Sequence, residues 1–163
     1  LILAIDPGNV ESAHVVTDDN LKPDCFGKLN NHDLLAFINH DAFRLCDHVA
    51  IEMIASYGMA VGKEVFETCV WIGRFYEALQ SKGMQPILIY RKDVKINICG
   101  VTKAKDSNIR QALLDRFGTV GTKKAPGWFY GFKADIWSAY AVAVTWHDKQ
   151  LHNSQNSHQN DAG

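Results

Sequence analysis

Two short apolar runs in this chain each end on a carboxylate, and that pairing restricts the folds open to it. Residues 1–5, Leu-Ile-Leu-Ala-Ile, lead into Asp6, after which Pro7 and Gly8 turn the chain away. Residues 48–51 lead into Glu52 in the same way. Apolar runs this short, bounded by breakers, read as buried strands. Both acids then stand at the edge of a sheet, where neither can be buried without a partner, because desolvating a charge is costly. They are exposed strand ends, or share an Arg or Lys, or share a metal ion.

The remaining pattern supplies the rest of a sheet and its cover. Residues 12–17 read as a returning strand, Asp18, Asp19 and Asn20 as the next turn, and residues 21–28 as a third strand. Asn31 is placed to cap a helix whose face includes Leu34, Leu35 and Ile38. Apolar residues at 61, 65, 69, 72, 75 and 79 step by three and four, which predicts one long helix over 61–79. A fifth strand follows at 86–90. Ser107 is placed to cap a helix that turns Ile109, Ala112, Leu113 and Phe117 inward and stops at Gly118. Residues 118–133 form a loop rich in Gly, Lys and aromatics, and a last helix runs from about 134 to 146. Three strands followed by alternating helices and strands predict an α/β fold, a mixed five-stranded sheet flanked by helices. One domain is expected over 1–149, with a polar, disordered tail over 150–163.

The net charge of −1 looks unsuited to a nucleic-acid partner until the chain is divided. Residues 1–90 carry six Lys/Arg against twelve Asp/Glu, a net of −6, whereas residues 91–133 carry ten against three, a net of +7. A basic surface built from one stretch suits phosphate contacts, although an ordinary solvated face accounts for it equally well. No apolar run approaches the roughly 20 residues that span a bilayer, so no membrane partner is expected. Cys25, Cys46, Cys69 and Cys99 show no zinc spacing, and read as small buried hydrophobes in a reducing cytoplasm. His14, His32, His40 and His48 show no ligand spacing either, and read as structural or surface residues.

A third acid, Asp135, opens the last helix. If a metal is shared, the chemistry is that of two-metal phosphodiester hydrolysis, which needs hard oxygen ligands around a pair of divalent cations. Asp6 is then the bridging ligand, with Glu52 and Asp135 each completing one side.

Four segments carry a family resemblance. Ile5-Asp6-Pro7-Gly8, Ala50-Ile51-Glu52, the basic stretch Val101-Thr102-Lys103-Ala104-Lys105-Asp106 and the helix 134–143 resemble, in order and spacing, the RuvC-type Holliday-junction resolvases. The loop 121–127 with Tyr130 and Gly131 most resembles the phage-encoded branch. The resemblance covers residues 1 to about 146. It implies a ribonuclease H-like fold, a homodimer, dependence on Mg²⁺ (Mn²⁺ substituting), and paired nicks in a four-way DNA junction. It assigns Asp6, Glu52 and Asp135 as catalytic metal ligands.

One position departs from the family pattern. A second acid usually stands three residues after the position of Asp135, and here that residue is Ser138, a poor ligand for Mg²⁺. Asp148 is too far along the helix to replace it. The substitution leaves a junction-binding module with weakened or lost catalysis as one alternative, and a nuclease acting on flaps, forks or RNA–DNA hybrids as another. Lys103, Lys105 and Arg110 are the expected phosphate contacts, joined by Lys123, Lys124 and Lys133 around the final helix. Lys133, beside Asp135, either steadies charge on a scissile phosphate or balances the acids. The aromatic wedge that often follows the second acid is absent, since Ala55 occupies its place. Tyr57 is the candidate to stack on an unpaired base instead, while Trp128, Phe129 and Tyr130 are expected chiefly to pack their loop down.

Overall fold

Successive residues of a strand point to opposite faces, and in β1 (Ile2–Asp6) this alternation organises the whole molecule. Ile2 and Ala4 enter one hydrophobic core and Leu3 and Ile5 a second. The structure is a computed structural model describing residues 1–40 and 46–160, so the last residues of the expected tail, 161–163, lie outside it.

β1 is the middle strand of a five-stranded sheet. Its companions are β2 (Glu11–Thr17), β3 (Pro23–Asn30), β4 (His48–Met53) and β5 (Ile87–Tyr90), in the order β3-β2-β1-β4-β5. The first three strands pair antiparallel, and β4 and β5 add parallel on the other side of β1. The mixed sheet expected from the sequence is therefore present. Both faces are covered at the centre of the sheet, which is why β1 and β4 are buried on both sides. Helices α1 (Asn31–Asn39) and α2 (Lys63–Ser81) close one face through Leu34, Ile38, Ile72, Phe75 and Leu79. Helices α3 (Arg91–Cys99), α4 (Asp106–Phe117) and α5 (Ile136–Asn160) close the other.

Helix α5 is the central support of that second face. Its residues 139–145 are fully buried, the signature of a helix enclosed on all sides. Ala4, Ala13 and Ala50 belong to the same cluster and are small enough to let the helix lie close to the strands. Tyr140 is pinned at both ends of its hydroxyl. It donates to the Leu21 carbonyl at 2.9 Å and accepts from Trp128 Nε1 at 2.9 Å, joining α5 to the β2–β3 turn and to the loop after α4.

Several boundaries differ from the sequence expectation. Helix α3 is an addition: only Val94 of its nine residues is buried, so it has no apolar stripe to betray it, and Gly100 ends it with a positive φ. The cap of α1 is Asn30, whose side chain accepts from the His32 amide, while Asn31 is buried and bonds elsewhere. Helix α4 begins one residue before Ser107, with Lys105 as the capping residue. α2 starts at Lys63, and Gly62 precedes it as the cap. The final helix does not stop near 146 but continues through the polar residues 150–160 expected to be disordered. None of the four cysteines is fully buried; all are free thiols, and Cys25 is exposed. The histidines behave as structural groups: His14 is buried against Phe37, His32 meets Trp71 edge-on, and His48 lies on Trp146.

Removing the Tyr140 hydroxyl tests the α5 anchor. Tyr140→Phe leaves the Leu21 carbonyl and the Trp128 N–H without their partner and is expected to cost about 1–3 kcal/mol. Urea unfolding should show a lower midpoint at unchanged slope.

Candidate active site

Strand parity carries Asp6 and Glu52 to the same face. Asp6 continues the row Ile2–Ala4, and Glu52 continues the row of Ala50, both on the side covered by α5. Because β1 and β4 run parallel with Ile5 opposite Ile51, the next residue of each strand, the acid, emerges at the same level. The turn after Asp6 is braced from behind. Gly8 N–H donates to Ser12 Oγ at 3.2 Å, Ser12 donates to Asn31 Oδ1 at 2.6 Å, and Asn31 Nδ2 returns to the Gly8 carbonyl at 2.9 Å. A Cβ at position 8 would lie 2.3 Å from the Glu11 carbonyl oxygen, so only glycine fits there.

Asp135 arrives from the opposite wall. It stands immediately before α5, and its carbonyl accepts the Ala139 amide at 3.0 Å. The residue before it, Ala134, has φ 38°, a left-handed conformation that is uncommon for a residue with a side chain. This bend turns the chain from the loop into the helix and brings Asp135 and Ser138 to the mouth of a cleft of about 410 Å³. Asp6, Glu52, Ala55, Tyr57, Arg91 and Asp106 line the same cleft.

Two cations that the sequence reading passed over stand among these acids. Lys28 Nζ is 2.7 Å from Asp135 and 3.7 Å from Glu11. Its position follows from register: Asp6 faces Ala13 across β1–β2, and Ala13 faces Lys28 across β2–β3, so the lysine shares a cross-strand row with Asp6. The ion pair of Asp135 is made by this lysine and not by Lys133, which is exposed. Arg91 is the first residue past β5. Its Nη1 lies 3.6 Å from Glu52 Oε1 and its Nη2 pairs with Asp106. Lys28 was hidden because β3 has no clean apolar alternation to fix its register. Arg91 had a visible signal, being the residue that follows the fifth strand.

The electrostatics are those of a crowded acid pair. Burial raises the pKa of Asp6 well above the usual carboxylate range, reinforced by the charge of Glu52, a hydrogen bond to it, and the charge of Asp135. Burial also raises Glu52, opposed by Arg91. Lys28 is held protonated by its bond to Asp135. Burial and mutual repulsion thus favour the protonated form of this pair, and Arg91 opposes that at Glu52. The donor set of carboxylates and a hydroxyl suits a hard divalent cation. Among the described residues, however, no three such side chains stand as a ready-made metal cluster. Asp6 and Glu52 are together, while Lys28 draws on Asp135.

The basic residues divide by position. Arg110 lies over the Trp137 ring at 4.8 Å and lines a groove of about 340 Å³ shared with Arg91, Asp135 and Ser138. Lys103 and Lys105 are exposed on the connection before α4. Lys123 and Lys124 sit at an exposed turn tip closed by Thr122 and Ala125, whose amides and carbonyls exchange bonds at 2.9 and 3.1 Å. Tyr57 is 59% exposed on the loop after β4 and borders both the acid cleft and a second groove with Lys92, Lys95 and Thr102. Those two lysines were not singled out from sequence. Phe129 is buried and Trp128 stacks on Phe117, so both pack the loop down as expected, while Tyr130 is exposed.

The sequence matches no known family model and no curated protein. Solved structures do match. Thermus thermophilus RuvC in complex with a Holliday junction substrate superposes with a TM-score of 0.68 at 15% identity, covering 92% of this chain and 94% of that one. A second T. thermophilus RuvC structure gives 0.65 at 17% identity, covering 93% and 96%. The fold is that of RuvC. The α/β, ribonuclease H-like architecture therefore holds over nearly the whole length of both chains, at an identity that speaks for the fold alone.

Asp6→Asn separates a strained acid pair from an ordinary exposed one. With its pKa raised in the folded state, Asp6 makes folding take up a proton. Stability without divalent ions therefore falls as pH rises from about 4, the unfolded carboxylate value, toward the raised folded value. The asparagine variant should flatten that decline and melt higher at pH 7, by about 2–4 °C for each kcal/mol of relieved strain. Thermal melts in EDTA across pH 4–8 check both.

Proposed function

We propose that this chain is a structure-selective endonuclease that resolves four-way DNA junctions by paired, metal-dependent nicks. The observation that carries the reading is the convergence of Asp6, Glu52 and Asp135 on one cleft, bordered by a groove that carries Arg91, Lys92 and Lys95, in a chain whose fold is shared with a protein solved on a Holliday junction. Asp6 and Glu52 would hold the divalent cation, with Asp135 joining once it leaves Lys28. Mg²⁺, or Mn²⁺ in its place, supplies an activated water and charge stabilisation when bound. The chain's own residues do the rest. The braced turn at Gly8 fixes Asp6, the bend at Ala134 aims Asp135, and Arg110, Lys103, Lys105, Lys123, Lys124 and Lys133 bind phosphates. Tyr57 stacks on a base exposed at the branch.

Two symmetric cuts need two equivalent sites, hence a homodimer. The outer face of α2 suits the contact. Phe66 and Val70, one turn apart, are 63% and 62% exposed, and outside the helix's own backbone no described residue lies within 4 Å of where a Gly73 side chain would begin. Apolar residues exposed in a row on a helix are the usual material of an interface. Val70→Glu should convert a dimer to a monomer by light scattering and turn paired nicks into single ones.

The likeness of the 121–131 loop to the phage-encoded branch would place the enzyme in the cytoplasm of a bacterial host. No helix among the described residues is long and apolar enough to cross a membrane.

A second reading, a junction-binding module without cleavage, is favoured by one observation. Ser138 lines the cleft where a carboxylate would complete the acid set. Single-turnover assays with Mg²⁺ decide between the two. The proposed resolvase cuts a synthetic four-way junction at paired positions and leaves linear duplex largely intact, and Ser138→Asp accelerates it. Tight, salt-sensitive binding with no nicking at any metal concentration supports the binding module. Equal cutting of duplex, flaps or forks points to a broader branched-DNA nuclease.

A further inference from the structure

We infer that Arg91 contacts the scissile phosphate and supplies, from the protein itself, positive charge that the missing acid at position 138 would otherwise have helped to gather as a cation. The inference rests on the nuclease reading above and deepens it.

Arg91 occupies the crossing point of the site. It lines the acid cleft, the groove with Arg110 and Ser138, and the groove with Lys92, Lys95 and Tyr57. A strand running from the lysine groove to the acids passes its guanidinium. The side chain is only 25% exposed and is held between Glu52 and Asp106. Its hold is incomplete. Nη1 is 3.6 Å from Glu52, beyond hydrogen-bonding length, and has no hydrogen-bond acceptor among the described residues. A buried guanidinium N–H without an acceptor calls for one from outside the chain, a water or the oxygen of a bound ligand.

The partner on the other side can be exchanged. Asp106 is 81% exposed, so releasing it to water costs little. A phosphate that takes its place meets a planar fork suited to two oxygens at once. The charge balance points the same way. Ser138 brings no negative charge, so a second cation would be held more weakly, whereas a fixed guanidinium needs no ligands. In the hydrolysis itself water adds to phosphorus, one P–O ester bond breaks, and a proton from the water passes to the departing oxygen or to solvent. Arg91 changes no bond; it holds the negative charge on the non-bridging oxygens.

Arg91→Ala and Arg91→Lys test this by two independent readouts. Junction binding is followed by fluorescence anisotropy in EDTA over a salt series, and single-turnover cleavage is measured in Mg²⁺. A phosphate contact predicts that Arg91→Ala lowers the slope of log K against log salt by about one and slows cleavage by about 10²–10³-fold. Arg91→Lys should keep the slope and recover only part of the rate, since it keeps the charge and loses the fork. A wild-type slope in Arg91→Ala means that Arg91 merely props Glu52, and overturns the inference even if cleavage drops. Should Arg91→Ala fail to fold, a wild-type cleavage rate in Arg91→Lys overturns it as well. Wild-type protein that binds junctions but nicks nothing sinks the nuclease reading and with it the catalytic half of the inference, while the salt slope separately decides whether Arg91 contacts a phosphate.

Discussion

Two carboxylates in contact, Asp6 and Glu52, set the terms for everything around them. Like charges brought together largely out of water oppose folding, and the chain meets that opposition from three sides. Arg91 leans on Glu52, Lys28 takes up the charge of Asp135, and burial favours the protonated form of Asp6. The hydrophobic architecture then has to be strong enough to hold an arrangement that electrostatics would undo. Helix α5, buried around its full circumference over residues 139–145, and the pinned hydroxyl of Tyr140 are where that strength lies. A centre of this kind is typical of sites where stability has been given up for chemistry.

The helices on the α5 face are tied to one another by polar groups as well as by the core. Arg116 on α4 makes two bonds to Asp148 on α5, at 2.7 and 2.8 Å, and Asn97 on α3 adds a third at 2.9 Å. Lys149 reaches Asp93 on α3 at 2.9 Å. Asp148, too distant from the acids to be a ligand, thus serves as a clamp. Its effect reaches the cleft, because α3 begins with Arg91 and α4 with Asp106. The spacing between those two charges is set by how firmly both helices are fastened to α5.

What could be read in the sequence was whatever depends on local pattern. Four of the five strands, the long apolar stripe of α2 and the acids at strand ends announce themselves through apolar runs, periodicity and breakers. So does the hydroxyl at Ser138, where the resolvase pattern that this helix resembles has an acid. Lys28, by contrast, depends on pairing between distant segments. Lys28 joins Asp6 only through two successive antiparallel registers, and β3, with its mixed burial, gives no sign of its own phase. Helix α3 rests on a single buried valine, so nothing in its composition separates it from a basic loop. The continuation of α5 through residues 150–160 was hidden for the opposite reason, since polar residues without an apolar stripe read as tail. Lys28 in place of Lys133 on Asp135 is the same lesson in one contact: neighbours in sequence were a poorer guide than neighbours across the sheet.

The alternation along β1 has a further consequence, for what variation the chain can tolerate. Asp6 faces α5 because an even number of steps separates it from Ala4 and Ile2, and Glu52 obeys the same parity relative to Ala50. Losing or gaining one residue within either strand would exchange the two cores and send the acid toward α2. A change of two would restore the face but displace the acid by about 7 Å along the strand. Indels are thus excluded from these two segments far more strictly than substitutions, whereas the loops that carry Tyr57 and the Lys123–Lys124 turn are under no such count. Divergence among chains of this fold should therefore accumulate as length differences at the rim and as residue exchanges, never length differences, along the two strands that end on acids.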